Sequence, residues 1–188
     1  IALSVLAYFQ FFNKNSFTGK EKTIAVLPFE NSGQDSNNEY LSDGITCDII
    51  NKLSRISALQ KVTGWASVRT YKNTAKNIQD IAGELDVASI LTGTIQRHDN
   101  KLHIIAELID VKTGKRIWGD DFDRNMGDLF AIQGEVAQKI ADALRSRLTT
   151  EEKKSISKNY TENVEAFKYY NRGRFFFDKR NKVSFDSA

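Results

Sequence analysis

The 188 residues suffice for one sizeable hydrophobic core and a fragment of something beyond it. A formal charge of +3, from 27 basic and 24 acidic side chains, is too balanced for a dedicated nucleic-acid binder, so no nucleic-acid partner is expected. The single cysteine, Cys47, excludes both an internal disulfide and a thiolate-built metal site.

Residues 1–12, IALSVLAYFQFF, are apolar apart from Ser4 and Gln10. As a helix they reach about 18 Å, whereas a bilayer span takes about 20 residues. The chain opens on Ile1 and its one methionine is Met126, so a piece of a longer protein is expected. Residues 1–12 then read as the second half of a transmembrane helix, the alternative being the tail of a signal peptide's apolar region. Residues 13–22 follow as a polar linker.

The run Ile24 to Leu27, closed by Pro28, predicts a strand buried on both faces. Glu30 to Asn38, rich in Asn, Ser, Asp and Gly, predicts a loop. Leu41, Ile45, Ile49, Leu53 and Ile56 recur at helical spacing, with Asp43, Asp48, Asn51 and Lys52 assigned to the solvent side. Leu59 to Thr63 predicts the second strand, and Trp65 to Tyr71 a short helix. Asn77 can cap a helix carrying Ile78, Ile81, Ala82 and Leu85, with Asp86 ending it in a left-handed conformation.

From Ala88 the period changes to two. Leu91, Gly93 and Ile95 alternate with polar residues, and after Asp99-Asn100 so do Leu102, Ile104, Ala106 and Leu108, which predicts a hairpin with one dry face. A turn at Lys112-Thr113-Gly114 leads to a third strand anchored by Ile117, Trp118 and Phe122. Leu129, Ile132, Val136, Ile140 and Leu144, continued by Leu148, predict a covering helix. The expected fold class is α/β, a mixed five-stranded sheet in the order βαβαβββα across residues 23–148. Residues 149–163 read as a helix end and linker. Residues 164–188, with Tyr169, Tyr170, Gly173 and Phe176 and a small Ala188, resemble the start of a tetratricopeptide repeat, which needs further repeats to close a core.

Ile24-Ala25-Val26-Leu27-Pro28-Phe29, followed by Tyr40-Leu41-Ser42-Asp43-Gly44-Ile45-Thr46, closely resembles the opening of TolB-like amino-terminal domains. The likeness continues through Trp118 and Phe130-Ala131-Ile132-Gln133. In bacteria such domains follow a membrane segment and precede tetratricopeptide repeats in cyclase-like, kinase-like and winged-helix signalling proteins. The chain departs from the family across Cys47-Asp48, where a pair of acidic residues is more usual. The resemblance implies a non-enzymatic sensor or protein-interaction module, anchored to the membrane by its amino-terminal helix and binding a protein or peptide through the repeats. It also implies an extracytoplasmic, periplasmic domain. Lys14, Lys20 and Lys22 argue for the opposite side, but the positive-inside comparison needs both flanks.

Candidate chemistry is sparse. Ser32, Gly33 and Ser36, between the first strand and its helix, could bind an anion on free backbone N–H groups, although no phosphate-loop or dinucleotide signature is present. This loop supports the alternative function, a small-ligand or nucleotide-binding domain with unrecognised catalytic activity. Asp121, Asp123 and Asn125 open like a calcium loop, but Met126 stands where glycine is needed and Ile132 where a bidentate glutamate is needed. His98 and His103 would sit diagonally on the hairpin without a third ligand. No metal, no cofactor and no catalytic residue is therefore expected, since no Ser, Cys or Thr comes with a base and an orienting partner.

Overall fold

The computed structural model describes residues 22–33 and 38–179. The expected transmembrane segment at 1–12, most of the expected linker at 13–22, Ser36 and the end of the expected repeat, from residue 180, lie outside the described residues. Among the described residues no helix is long and apolar enough to cross a membrane.

The chain begins with β1 (Thr23–Val26), β2 (Glu30–Asn31), α1 (Glu39–Leu53), β3 (Lys61–Val62), α2 (Trp65–Val68) and α3 (Ile78–Leu85). It continues through β4 (Ser89–His98), β5 (Lys101–Asp110), β6 (Arg116–Asn125), α4 (Leu129–Ala143), α5 (Thr150–Ser157) and α6 (Val164–Lys179). β1 is buried along its length, as its unbroken apolar run requires, and lies parallel to β3 on one side and β4 on the other. β4, β5 and β6 form an antiparallel meander, giving the order β3-β1-β4-β5-β6. The steps from β1 to β3 and from β3 to β4 run in opposite directions across the sheet. Right-handed crossovers therefore put α1 and α3 on opposite faces.

The sheet has a sixth strand that the loop composition concealed. Pro28 has no N–H and interrupts pairing along β1, and β2 then takes up the free edge of the longer β4, opposite Thr94 and Ile95. Phe29 lies between the two strands, and its N–H donates to Thr46 Oγ1 of α1 at 3.0 Å. The same hydroxyl donates to Ser42 O at 2.8 Å, so the buried start of the connection leaves neither group unsatisfied. Gly93 of β4 makes room here: a Cβ on it would lie 2.2 Å from Ile105 O and 2.9 Å from the Phe29 ring.

The hairpin register follows the two-residue Asp99-Asn100 turn, with Gln96 opposite His103 and His98 opposite Lys101. Asp86 ends α3 in the left-handed region, at φ 50°, and Asn77 caps its start by accepting from the Asp80 N–H at 2.8 Å. Ile117 differs from expectation. The pairing shifts between Leu108 and Ile109, so Ile117 has no partner on β5 and turns outward, leaving Phe122 as the fully buried anchor of β6.

The last helices form a third layer. α4 ends at Ala143 rather than at Leu148, because Arg145 takes a positive φ of 50° and turns the chain. Residues expected as linker then form α5, started by a capping box in which Thr149 and Glu152 satisfy one another's backbone N–H groups. α6 packs along α1, and its Phe167 meets Phe130 of α4 edge to face at 5.4 Å. Ile156 and Phe167 thereby join the same core as β1 and α1.

Candidate functional site

α1, α4 and α6 line a half-open cavity of about 540 Å³. α1 offers it Asp48, Asn51 and Lys52, three and four residues apart and so on one stripe, with Arg55 in the turn beyond. α4 contributes Phe130 and Gln133 by the same spacing, and α6 contributes Phe167, Tyr170 and Arg174. Residues 158–161 close one end.

Lys52 corrects the sequence reading most sharply: placed there on the solvent side, it is 4% exposed. Its Nζ donates to Ile156 O at 2.6 Å, Asn159 Oδ1 at 3.0 Å and Lys158 O at 3.3 Å. A helical stripe of charges means water only when nothing packs over it, and here the chain after α5 does. Burial, then repulsion from Arg55, holds the Lys52 ammonium below its usual pKa. Asp43, also expected to face water, is buried too, where it accepts from Lys72 at 2.6 Å.

Lys52, Arg55, Lys158 and Arg174 line the cavity with Asp48 as the one carboxylate in its lining, a formal excess of three positive charges, of which that of the exposed Lys158 meets water. None of these five makes a salt bridge among the described residues, although ion pairs are frequent elsewhere. Arg55 donates to Ser155 O and to the Tyr160 hydroxyl, and Arg174 to Cys47 Sγ, all neutral acceptors. Burial pushes the Cys47 thiol up to about 12, so it stays protonated despite Arg174. Burial also raises the Asp48 carboxyl above the usual range, only partly offset by the Gln133 amide and by Lys52. That amide makes no hydrogen bond of regular geometry: Gln133 is 1% exposed and its Nε2 has no partner among the described residues.

A second hollow of about 520 Å³ lies at the carboxyl end of β1, where open α/β sheets tend to bind ligands. Its two lysines are paired internally. Lys72 bridges Glu39 at 3.0 Å and Asp43 at 2.6 Å, and Glu84 takes both Lys76 and the Tyr71 hydroxyl. Of the expected anion residues, Ser32 and Gly33 sit near it with their N–H groups engaged: Ser32 donates to Ile95 O at 3.0 Å, and Gly33 to Asn31 Oδ1 at 3.2 Å. An anion would have to displace these bonds.

On the open face of the meander, His103 Nδ1 lies 2.9 Å from Asp123 Oδ1 and 3.2 Å from Asp121 Oδ1. His98 lies outside this group, beside Asp99. The three ligand-type atoms fall within 4.8 Å of one another, but both carboxylates are exposed. This is the arrangement of cross-strand charge pairing.

The residues missed from sequence are Lys52, Gln133 and Arg174. The signal for Gln133 was present: one polar side chain next to Ile132 and three residues before Val136, inside an apolar stripe, and the last residue of the Phe130-Ala131-Ile132-Gln133 run. Arg174 had none, because nothing local says that α6 lies on α1.

Residues 20–143 match the second domain of HilA/YgeH-like transcriptional regulators, and the chain belongs to that family. It is also 38% identical over 152 residues to "Putative adenylate cyclase 3" of Rhizobium meliloti (strain 1021), a match covering 81% of this chain and 26% of that protein. The chain thus spans about a quarter of that relative's length. Among solved structures it is similar to TolB from Acinetobacter baumannii, at 18% identity and TM-score 0.47, over 65% of this chain and 28% of that one. It is similar to a lipoprotein from Neisseria meningitidis, at 20% identity and TM-score 0.47, over 64% and 98%. A third is the carboxyl-terminal domain of LpoB from Salmonella enterica, at 15% identity and TM-score 0.46, over 62% and 91%.

Proposed function

We propose that the chain is a non-enzymatic sensing or protein-interaction module of a membrane-held bacterial signalling protein, working beside an output domain carried elsewhere in a longer polypeptide. The relatives support an accessory role. One match is a domain of transcriptional regulators and the other bears a cyclase name, so one kind of segment accompanies two different outputs.

The observation that carries the reading is the docking of α6. This helix, which resembles the first of a tetratricopeptide repeat, shares its core with the α/β domain through Phe167 and lies against α1 at Asn171 and Arg174. Repeats continuing from it would be joined rigidly to the sheet, and a peptide or protein held on their concave side would act on α1 directly. In this reading residues 1–12 anchor the protein and the module lies in the periplasm. The test uses the longer protein with a reporter, active only outside the cytoplasm, fused after Ala188; activity is expected, and a signal from a cytoplasm-only reporter would refute the placement. Purified chain given ATP and Mg²⁺ should form no cyclic nucleotide and release no phosphate. Turnover would refute the non-enzymatic assignment.

A further inference from the structure

We propose that the cavity lined by α1, α4 and α6 binds a small organic anion, a carboxylate with an apolar or aromatic body, and that Gln133 and Arg174 are its contact residues. The site stands on its own geometry, whatever the module's partners are.

Charge supplies the first argument. Four cations and one carboxylate line the cavity with no salt bridge among them, and the side-chain hydrogen bonds of Lys52, Arg55 and Arg174 go to neutral acceptors, so Asp48 and, beside Arg174, Asp43 offset only part of the positive field. Lys52 is saturated by three oxygens and acts as a fixed source of that field. Arg174 is not saturated. A guanidinium has five N–H donors, and here its partners are Cys47 Sγ and the Tyr170 side chain, with the Trp65 ring 6.0 Å from Cζ, which leaves donors over. A fork with donors to spare is suited to two carboxylate oxygens.

The buried amide of Gln133 is the second argument. Side-chain donors buried this completely are almost always well paired, and here the amide meets only the Asp48 carboxyl, without regular geometry, which leaves room for a better-aligned acceptor. A carboxylate oxygen in the cavity would accept from it. Shape completes the case. Phe130 and Phe167 supply an apolar wall, and the volume falls in the range of about 300–1,000 Å³ usual for small-molecule sites.

The probes are 3-phenylpropionate, succinate, inorganic phosphate and the uncharged 3-phenylpropanol, titrated separately into the full chain at constant ionic strength. Binding is followed by calorimetry and by the Gln133 side-chain amide resonance. At least one carboxylate should bind saturably and shift that resonance, while the alcohol binds at least tenfold more weakly. Gln133→Leu and Arg174→Gln should each weaken binding tenfold or more, and Lys112→Gln, the loss of a remote surface charge, should leave it unchanged. Should Gln133→Leu not fold, Gln133→Glu keeps the size and replaces the donor with a repelling charge, to the same effect. Absence of binding by both carboxylates, equal binding of acid and alcohol, binding of phosphate alone, or binding indifferent to both site variants would each overturn the proposal.

Discussion

Substituting Gly44 by alanine sets helix propensity against packing. Gly44 lies inside α1, where alanine would ordinarily stabilise a helix by about 1 kcal/mol. Here the new Cβ would fall 2.5 Å from Asn171 Cγ, 2.6 Å from its Oδ1 and 2.9 Å from its Nδ2. Asn171 is 4% exposed and its Nδ2 donates to Phe167 O at 2.9 Å, so it cannot swing away without breaking a buried bond. Overpacking of this kind costs about 1–3 kcal/mol, enough to cancel or reverse the propensity gain. In an Asn171→Ala background the space opens, and Gly44→Ala should then stabilise by about 1 kcal/mol. The double-mutant cycle should therefore give a coupling of about 1–3 kcal/mol. Urea unfolding read by circular dichroism, with Trp65 fluorescence reporting on the neighbouring α6, measures all four corners. Equal stabilisation by Gly44→Ala in both backgrounds would refute the close packing of α6 on α1.

Leu53→Ala, which empties a fully buried site on the sheet-facing side of α1, should cost about 2–5 kcal/mol. Lys52→Ala should cost about 1–3 kcal/mol in the same unfolding assay, because it strips a donor from three acceptors between α5 and α6; no loss would show that the ammonium is solvated. For Asp48 the folded pKa lies above 3.8, so the native state holds more protons between 3.8 and the raised value. Its contribution to stability therefore rises as pH falls through that window, and Asp48→Asn should remove this slope and raise stability above it, as thermal melts across pH would read. Glu152 behaves oppositely. Held at about 2 by the Thr149 and Ser57 donors, it contributes stability above 4.5 that is lost as pH falls towards 2, so Glu152→Gln should flatten the acid limb.

Much of the fold was legible because local rules and tertiary context agree. The apolar run of β1 reads as buried on both faces and is; the Asp99-Asn100 turn fixes the hairpin register by itself; Asp86 and Asn77 mark the ends of α3. What failed depended on segments far apart in the chain. Lys52 and Asp43 sit on a stripe that would be wet in an isolated helix, and only the cover supplied by residues 156–174 and by Lys72 makes it dry. β2 is two residues long and exists because β4 outruns β1, which no local composition reveals. α5 has too few apolar residues to announce itself, although Thr149 and Glu152 spelled its capping box. The cavity draws on α1, α4 and α6, and on Gln133 and Arg174 forty or more residues apart, so no motif spacing could encode it.

Native-state hydrogen exchange along the intact chain tests most directly whether α6 is built into the α/β core. Amides in the middle of α6, around Asn171, should open only with those of α1 around Ile49, at the same free energy and with the same denaturant dependence, and Gly44→Ala should separate the two. If the α6 amides exchange through a low-energy opening of their own while α1 and α4 stay protected, α6 is a separate appendage and the rigid coupling proposed for this module does not exist.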